Sequence, residues 1–276
     1  MTATTATTTN TTATTGLALA LRDSRTMLRR NLRRMARYPS ITLVIVGMPI
    51  VFLLLFVYVF GGTLGAGLGD PAGGRAEYLD YVTPGIIVVT MAGAAQGTAL
   101  AIAMDMTNGI IARFRTMAVS RSAVLGGHVA ASMIQTLGSM LVVLVVALVI
   151  GFSPDAGPVE WVAAAGLLVL ATLAFTWLSV AFGLAAKSPE TASNLPLLLV
   201  LLPFLGSGFV PTESMPAALR WFADNQPFSP IMETLRGLLL GTPIGSDGVL
   251  AVAWSLGIGL AAYVWARALF ARPPVR

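Results

Sequence analysis

Chemistry by a side chain needs a nucleophile, an acid–base partner or a set of metal ligands held together, and few such residues are present here. The sequence has no cysteine and one histidine, which excludes disulfides, thiolate metal sites and cysteine nucleophiles and leaves the redox compartment unreadable. The only lysine, Lys187, stands in Gly183-Leu184-Ala185-Ala186-Lys187-Ser188. A phosphate-cradling loop would need glycine where Ala186 is, so the chain has no nucleotide loop of its own, and Lys187 reads as an ordinary loop residue. Gly206-Ser207-Gly208 offers a serine, but the one candidate base, His128, lies a long way off in the chain. One histidine and scattered acids do not form a metal cluster.

The elements that would position these residues are apolar. Of 276 residues, 56% are hydrophobic and 11% charged, against roughly 25% charged in soluble domains, and the mean hydropathy is +0.81. So few charges cannot cover a water-facing surface. Crossing about 30 Å of hydrocarbon takes roughly 20 apolar residues as a helix. Six stretches free of Asp, Glu, Lys and Arg qualify: 41–60, 81–104, 128–150, 161–186, 195–210 and 249–266. The fifth is short, but its uncharged run extends over 191–212, and Pro196 and Pro203 predict a kink in it.

Basic residues set the orientation, because Lys and Arg are retained on the cytoplasmic side. One side collects Arg22, Arg25, Arg29, Arg30, Arg33, Arg34, Arg37, Arg113, Arg115, Arg121, Lys187, Arg267, Arg272 and Arg276. The other holds Arg75, Arg220 and Arg236 among nine acids: Asp70, Glu77, Asp80, Asp155, Glu160, Glu213, Asp224, Glu233 and Asp247. Six crossings with both termini cytoplasmic follow, and a missed or extra crossing would scramble this alternation. A bacterial plasma membrane is the expected location. His128 then falls at the opposite membrane face from Ser207, which rules out general-base contact at about 3 Å and leaves it as an interfacial residue. Gly67-Leu68-Gly69-Asp70 matches a G-x-G-D protease pattern, but that chemistry needs two facing carboxylates inside the membrane, and no stretch contains one. It reads as a flexible outer loop. Without buried acids for a proton relay, any transport would draw its energy from outside the chain.

The first 16 residues, nearly all Thr and Ala, read as a disordered tail rather than a signal peptide. In residues 17–38 the side chains of Leu17, Leu21, Ser24, Leu28, Leu32 and Met35 fall on one stripe at about 100° per residue, with seven arginines on the rest of the circumference. This predicts an amphipathic helix at the inner interface, its arginines toward headgroups or a cytosolic partner, or simply fixing topology. Residues 39–276 form the membrane domain. In the loop between the second and third stretches, Ile110, Phe114 and Met117 share one side with arginines beside them, a plausible docking knob.

Several motifs occur together in order. Arg37-Tyr38-Pro39 precedes the first stretch, and the inner loop reads Gly109-Ile110-Ile111-Ala112-Arg113-Phe114-Arg115-Thr116-Met117-Ala118-Val119-Ser120-Arg121. A second inner loop reads Lys187-Ser188-Pro189-Glu190. The outer connection carries Phe209-Val210-Pro211-Thr212-Glu213-Ser214-Met215-Pro216, Gln226-Pro227-Phe228-Ser229-Pro230 and Leu235-Arg236-Gly237-Leu238-Leu239-Leu240-Gly241. This set resembles the permease subunits of type-2 ABC exporters, specifically those similar to daunorubicin and doxorubicin resistance permeases. One departure is Ala118, where that family usually has proline.

The resemblance implies an all-α polytopic fold of six transmembrane helices, an N-terminal connecting helix that includes Arg25, Arg29, Arg30, Arg33 and Arg34, and two short outer helices within 214–241 dipping into the outer leaflet. Ser214 and Ser229 suit N-caps there, Pro230 a first helical position and Gly241 a helix end. It also implies a dimer with a second copy or a paralogue, and two copies of a cytosolic P-loop ATPase that bind ATP and magnesium, so that this chain needs no cofactor and is not an enzyme. Gly109, Ile110, Arg113, Phe114, Arg115, Met117, Ser120 and Arg121 become the surface that couples to that ATPase. Met91, Gln96, Pro203 and Phe204 are candidates for the substrate path, with helix packing as the alternative for each. A largely uncharged path suits a hydrophobic or amphipathic compound, drug-like or a lipid. Tyr38, Tyr81, Trp161 and Trp265 fall near predicted boundaries as anchors. A membrane scaffold recruiting proteins through its arginines, or a membrane-embedded enzyme, is the competing reading. Nothing requires nucleic acid.

Overall fold

The computed structural model describes residue 29 and residues 39–68, 74–107 and 121–271, with the backbone alone at 39–42 and 121–124. Among these residues the chain is helical and without strands. Helix α1 (Pro39–Leu55) passes through a π-helical stretch, Phe56–Phe60, into α2 (Gly61–Gly65). Then come α3 (Gly74–Thr107), α4 (Arg121–Val149) and α5 (Pro158–Ala185). Short helices α6 (Pro189–Asn194), α7 (Leu197–Leu201), α8 (Ala217–Asn225) and α9 (Phe228–Leu240) lead to α10 (Asp247–Ala271). The expected tail at 1–16 and Arg25, Arg30, Arg33, Arg34 and Tyr38 lie outside the described residues, while Arg29 is exposed.

Five helical stretches are long and apolar enough to cross a membrane: Leu43–Gly65, Gly74–Thr107, Leu125–Val149, Pro158–Ala185 and Asp247–Ala271. The fifth predicted stretch is instead a broken helix, Pro189–Leu205. Its break follows from composition. Pro196 and Pro203 lack amide donors, so α6 ends at Asn194, α7 is a short turn of helix, and Leu202–Leu205 tightens into 3₁₀. At about 1.5 Å per residue, Pro189–Leu205 reaches roughly 25 Å, less than a full hydrocarbon layer.

Helix α3 is the hub. Of its most apolar stretch 72% is buried, against 17% for the first helix and 22% for the last. The poorly buried helices turn outward residues such as Leu43, Val44, Val51, Leu141, Val249 and Leu260, which in water would be untenable as one continuous surface and in lipid need no partner. Close approach to the hub uses glycine. A side chain at Gly85 would meet the Gly208 carbonyl oxygen at 2.4 Å, and one at Gly183 would meet the Ala99 carbonyl oxygen at 2.6 Å. The main core gathers around α3, and a second, smaller one, with Ile102, Leu125, Val129, Val180, Ala266 and Phe270, sits at its other end.

Local signals start and stop several helices. Pro158 opens α5 with Glu160 in its first turn. Ser188 caps α6, its Oγ accepting from Thr191 N at 3.2 Å. Gly241 ends α9 in the left-handed region at φ 70°, as its position predicts. The two serine caps expected in the outer connection do not form. Helix α8 starts after Pro216 and α9 after Pro227, where Gln226 Oε1 accepts from Phe228 N at 3.3 Å, and Ser229 and Pro230 lie inside α9. Ser214 turns back to bond the Pro211 carbonyl at 2.8 Å, and the Ser229 hydroxyl accepts from Gln226 Nε2 at 3.1 Å.

Candidate functional site

The coupling residues Gly109, Ile110, Arg113, Phe114, Arg115, Met117 and Ser120 lie outside the described residues, and Arg121 is described only as the backbone start of α4. What the structure does describe is the base of the loop that bears them. Asp105, near the end of α3, and His128, in α4, are both buried, with His128 Nε2 3.1 Å from Asp105 Oδ2. The ring nitrogen is not aligned for a hydrogen bond, so the two side chains are in close contact without one. Around this pair lies the smaller core, which joins α3, α4, α5 and α10. The sequence limits stop the second stretch at 104, one residue short of Asp105. Because α3 continues to Thr107, the acid is carried into the packed interior, where His128 is buried beside it.

The four path candidates are placed as follows. Met91 is buried on α3 and borders an interior gap with Thr98, Thr136, Thr172 and Phe175 that is closed to water. Gln96 donates from Nε2 to the Ser193 carbonyl at 3.0 Å, tying α6 to α3. Pro203 is buried in the 3₁₀ turn. Phe204 is half-buried, stacked on Phe209 at 4.6 Å and edge-on to Phe52 at 5.6 Å. Of the four, only Met91 borders that gap.

The most elaborate polar arrangement lies at the other end of α3, where α9 packs against it. Arg236, on α9, is 6% exposed. Its guanidinium pairs with Glu233, donates through Nη2 to the carbonyls of Ser207 at 2.9 Å and Tyr81 at 3.2 Å, and lies 3.9 Å from the centre of the Tyr81 ring. Tyr81 Oη donates to the same Ser207 carbonyl at 2.8 Å, and Tyr78 Oη donates to the Phe209 carbonyl at 3.1 Å. Ser207 N donates to Ser229 Oγ at 3.3 Å. The Gly206-Ser207-Gly208 turn is thus held by α3 on one side and α9 on the other. The backbone of Ser207, not its hydroxyl, makes these bonds. Tyr81 thus turns its hydroxyl into the protein, while Trp265 is exposed, edge-on to Phe182 at 5.9 Å.

The five-membered fork of Arg236 is what makes this junction possible: a planar guanidinium serves an acid and two carbonyls at once while its face covers an aromatic ring. Beside it opens a cavity of about 460 Å³ whose walls include Glu213, Asp224, Glu233 and Asp247. Among the described residues no three acids or imidazoles converge closely enough to hold a metal ion. Neither Arg236 nor Asp105 belongs to a catalytic motif. The available signal for Arg236 was its place as one of three arginines on the acid-rich side, and Asp105 offered none beyond its position beside an apolar run.

Compared with known proteins, residues 22–240 match the model of the ABC-2 type transporter family. The chain is 28% identical over 242 residues to the daunorubicin resistance ABC transporter permease protein DrrB1 of Streptomyces coeruleorubidus, covering 87% of this chain and 83% of that one. It is 23% identical over 238 residues to the probable doxorubicin resistance ABC transporter permease protein DrrC of two Mycobacterium tuberculosis strains, covering 85% of this chain and 84% of theirs.

Proposed function

The chain belongs to the ABC-2 type transporter family, and on that premise we propose that it is the transmembrane permease subunit of an ATP-driven exporter, powered by a separate ATPase. The observation that carries this is the family match across 22–240, joined to relatives named as drug-resistance ABC permeases along most of their length. The cargo we propose is a hydrophobic or amphipathic compound, drug-like or lipid-like, moved outward across a bacterial plasma membrane. Two copies of this chain, or one copy and a paralogue, would flank the path, with two ATPase copies beneath. ATP and magnesium would bind to the ATPase, leaving this chain without a cofactor and without catalysis of its own.

We take Pro189–Leu205 as the remaining crossing. The support is positional: Ser193 at its start is bonded to Gln96, and Ser207 just beyond its end is bonded to Tyr81, levels of α3 about 22 Å apart at about 1.5 Å per residue. Six crossings put both termini and the 108–120 loop in the cytoplasm, and α8 and α9 at the outer leaflet as a pair dipping back into it. ATP binding then closes the ATPase pair, the loop carries the motion through Arg113 and Phe114, and the Asp105–His128 contact fixes the helix bases that receive it. The bias comes from ATP's preference for the closed state.

Mild extraction of the tagged chain tests this directly. A P-loop ATPase should accompany it in equal ratio and hydrolyse ATP, and Phe114→Ala should abolish efflux at unchanged membrane abundance. An intact, folded permease that brings no such ATPase under several extraction conditions would shift the reading to a scaffold or an enzyme.

A further inference from the structure

We infer that the π-helical turn Phe56–Phe60 is a movable joint, at which α1 shifts its register against a fixed piece, α2, during transport. This rests on the exporter reading and adds a moving part to it. A π turn carries one residue more than an α-helix uses to join the same two ends, and such turns inside helices gather at functional places. Passing the extra residue into a neighbouring turn moves the helix beyond it by about 1.5 Å along the axis and about 100° around it. Nothing local accounts for the turn. Pro49, inside α1, lies seven residues before it, and Phe56-Val57-Tyr58-Val59-Phe60 holds no proline, glycine or serine.

The two sides of the joint are packed in opposite ways. Beyond it, α2 lies backbone against backbone on the start of α3: Gly65 has no room for a side chain against the Gly74 carbonyl, and one at Gly61 would meet Arg75 Cγ at 3.2 Å. The Arg75 guanidinium lies 4.9 Å from the centre of the Tyr58 ring and pins the joint from the same side. Before the joint, α1 exposes Val44, Met48, Val51 and Leu55, while Pro49 and Leu53 are its buried side chains among the described residues. A helix held so lightly is free to roll or slide where α2 is not. The motion also has a receiver. Phe56 lies 4.6 Å from Phe209, and Phe52, one turn earlier, is edge-on to Phe204 at 5.6 Å. Phe204 belongs to the 3₁₀ turn that ends the broken segment, and it stacks on Phe209 across Gly206-Ser207-Gly208. A register shift of α1 therefore displaces two rings at the far end of Pro189–Leu205 and links the first span to the broken one. On the exporter reading, the push comes from the arginine-rich residues that precede Pro39.

The test uses the full-length chain with its ATPase, in cells for efflux and in nanodiscs for the rest. Deleting Val59, which is exposed, removes the extra residue and leaves an unbroken α-helix. The deletion variant should keep its melting temperature and its ATPase and lose efflux. Val59→Ala, which keeps the chain length, should export as the parent does. Hydrogen exchange gives a reading that needs no variant: amides within 56–60 should change protection when a non-hydrolysable ATP analogue is bound, while those of α2 should not. Efflux retained by the deletion variant overturns the proposal, and so does exchange at 56–60 that is indifferent to nucleotide. Loss of the variant's fold overturns it too, because the extra residue would then serve packing. A parent chain that exports nothing with its ATPase present would sink the exporter reading, whereas parent efflux matched by the deletion variant sinks the joint alone.

Discussion

Arg236 shows how one side chain can hold one end of a helical bundle together. It is buried, and its partners are an acid and two backbone oxygens, so removing it leaves the Glu233 carboxylate unpaired and takes one of two donors from the Ser207 carbonyl. Arg236→Ala should cost about 3 kcal/mol, read as a fall in the melting temperature in detergent. Arg236→Lys should recover only part of that, because an ammonium on a flexible stem cannot reach three acceptors and cover the Tyr81 ring together. The Asp105–His128 pair answers to the same logic on a smaller scale. Asp105→Ala leaves His128 facing a void and should cost about 1–3 kcal/mol, whereas replacing both by apolar residues of matched shape, Asp105→Leu with His128→Leu, should restore much of the stability. If efflux remains low in the restored double variant, the pair serves coupling as well as folding.

At the scale of elements, the hub helix works because its neighbours come very near. The contact of α3 with the Gly206-Ser207-Gly208 turn leaves no room for a side chain at Gly85, whose added carbon would sit 2.4 Å from a carbonyl oxygen. Gly85→Val should therefore displace that turn, costing about 1–3 kcal/mol and disturbing the Arg236 junction with it, which loss of protection at the turn in hydrogen exchange would register. Gly93→Ala, on the same helix with nothing within 4 Å, is the matched control and should be silent. The broken segment Pro189–Leu205 obeys a related rule. Its prolines remove amides where an unbroken helix would need them, and near the breaks side chains take up carbonyls: Gln96 reaches the Ser193 oxygen and Gln226 the Leu202 oxygen at 3.3 Å.

For the whole molecule the question is which end faces which compartment, and the absence of cysteine makes it easy to ask. Ser214→Cys, on the outer connection, should react with an impermeant maleimide in intact cells, and Ser188→Cys should react only after the membrane is opened. The reverse pattern would overturn the orientation, and labelling of both from outside would remove Pro189–Leu205 as a crossing. Much of this architecture was legible in the residues themselves. Apolar runs and proline positions are local or additive properties, since transfer into lipid is summed residue by residue along a helix, and they located all five long helices and the end of α9 at Gly241, while the kink expected at Pro196 and Pro203 is a full break that leaves the sixth expected stretch a short helix. The ordered motifs likewise pointed to the family. What they left open depends on neighbours distant in sequence. That Asp105 meets His128, that Tyr81 turns inward, that Ser229 is not a cap, and that Arg236 binds the Ser207 turn beside an acid-lined cavity were settled only by packing, because a buried polar group takes whatever partner the fold brings within about 3 Å, and no periodicity along one helix encodes what lies across from it.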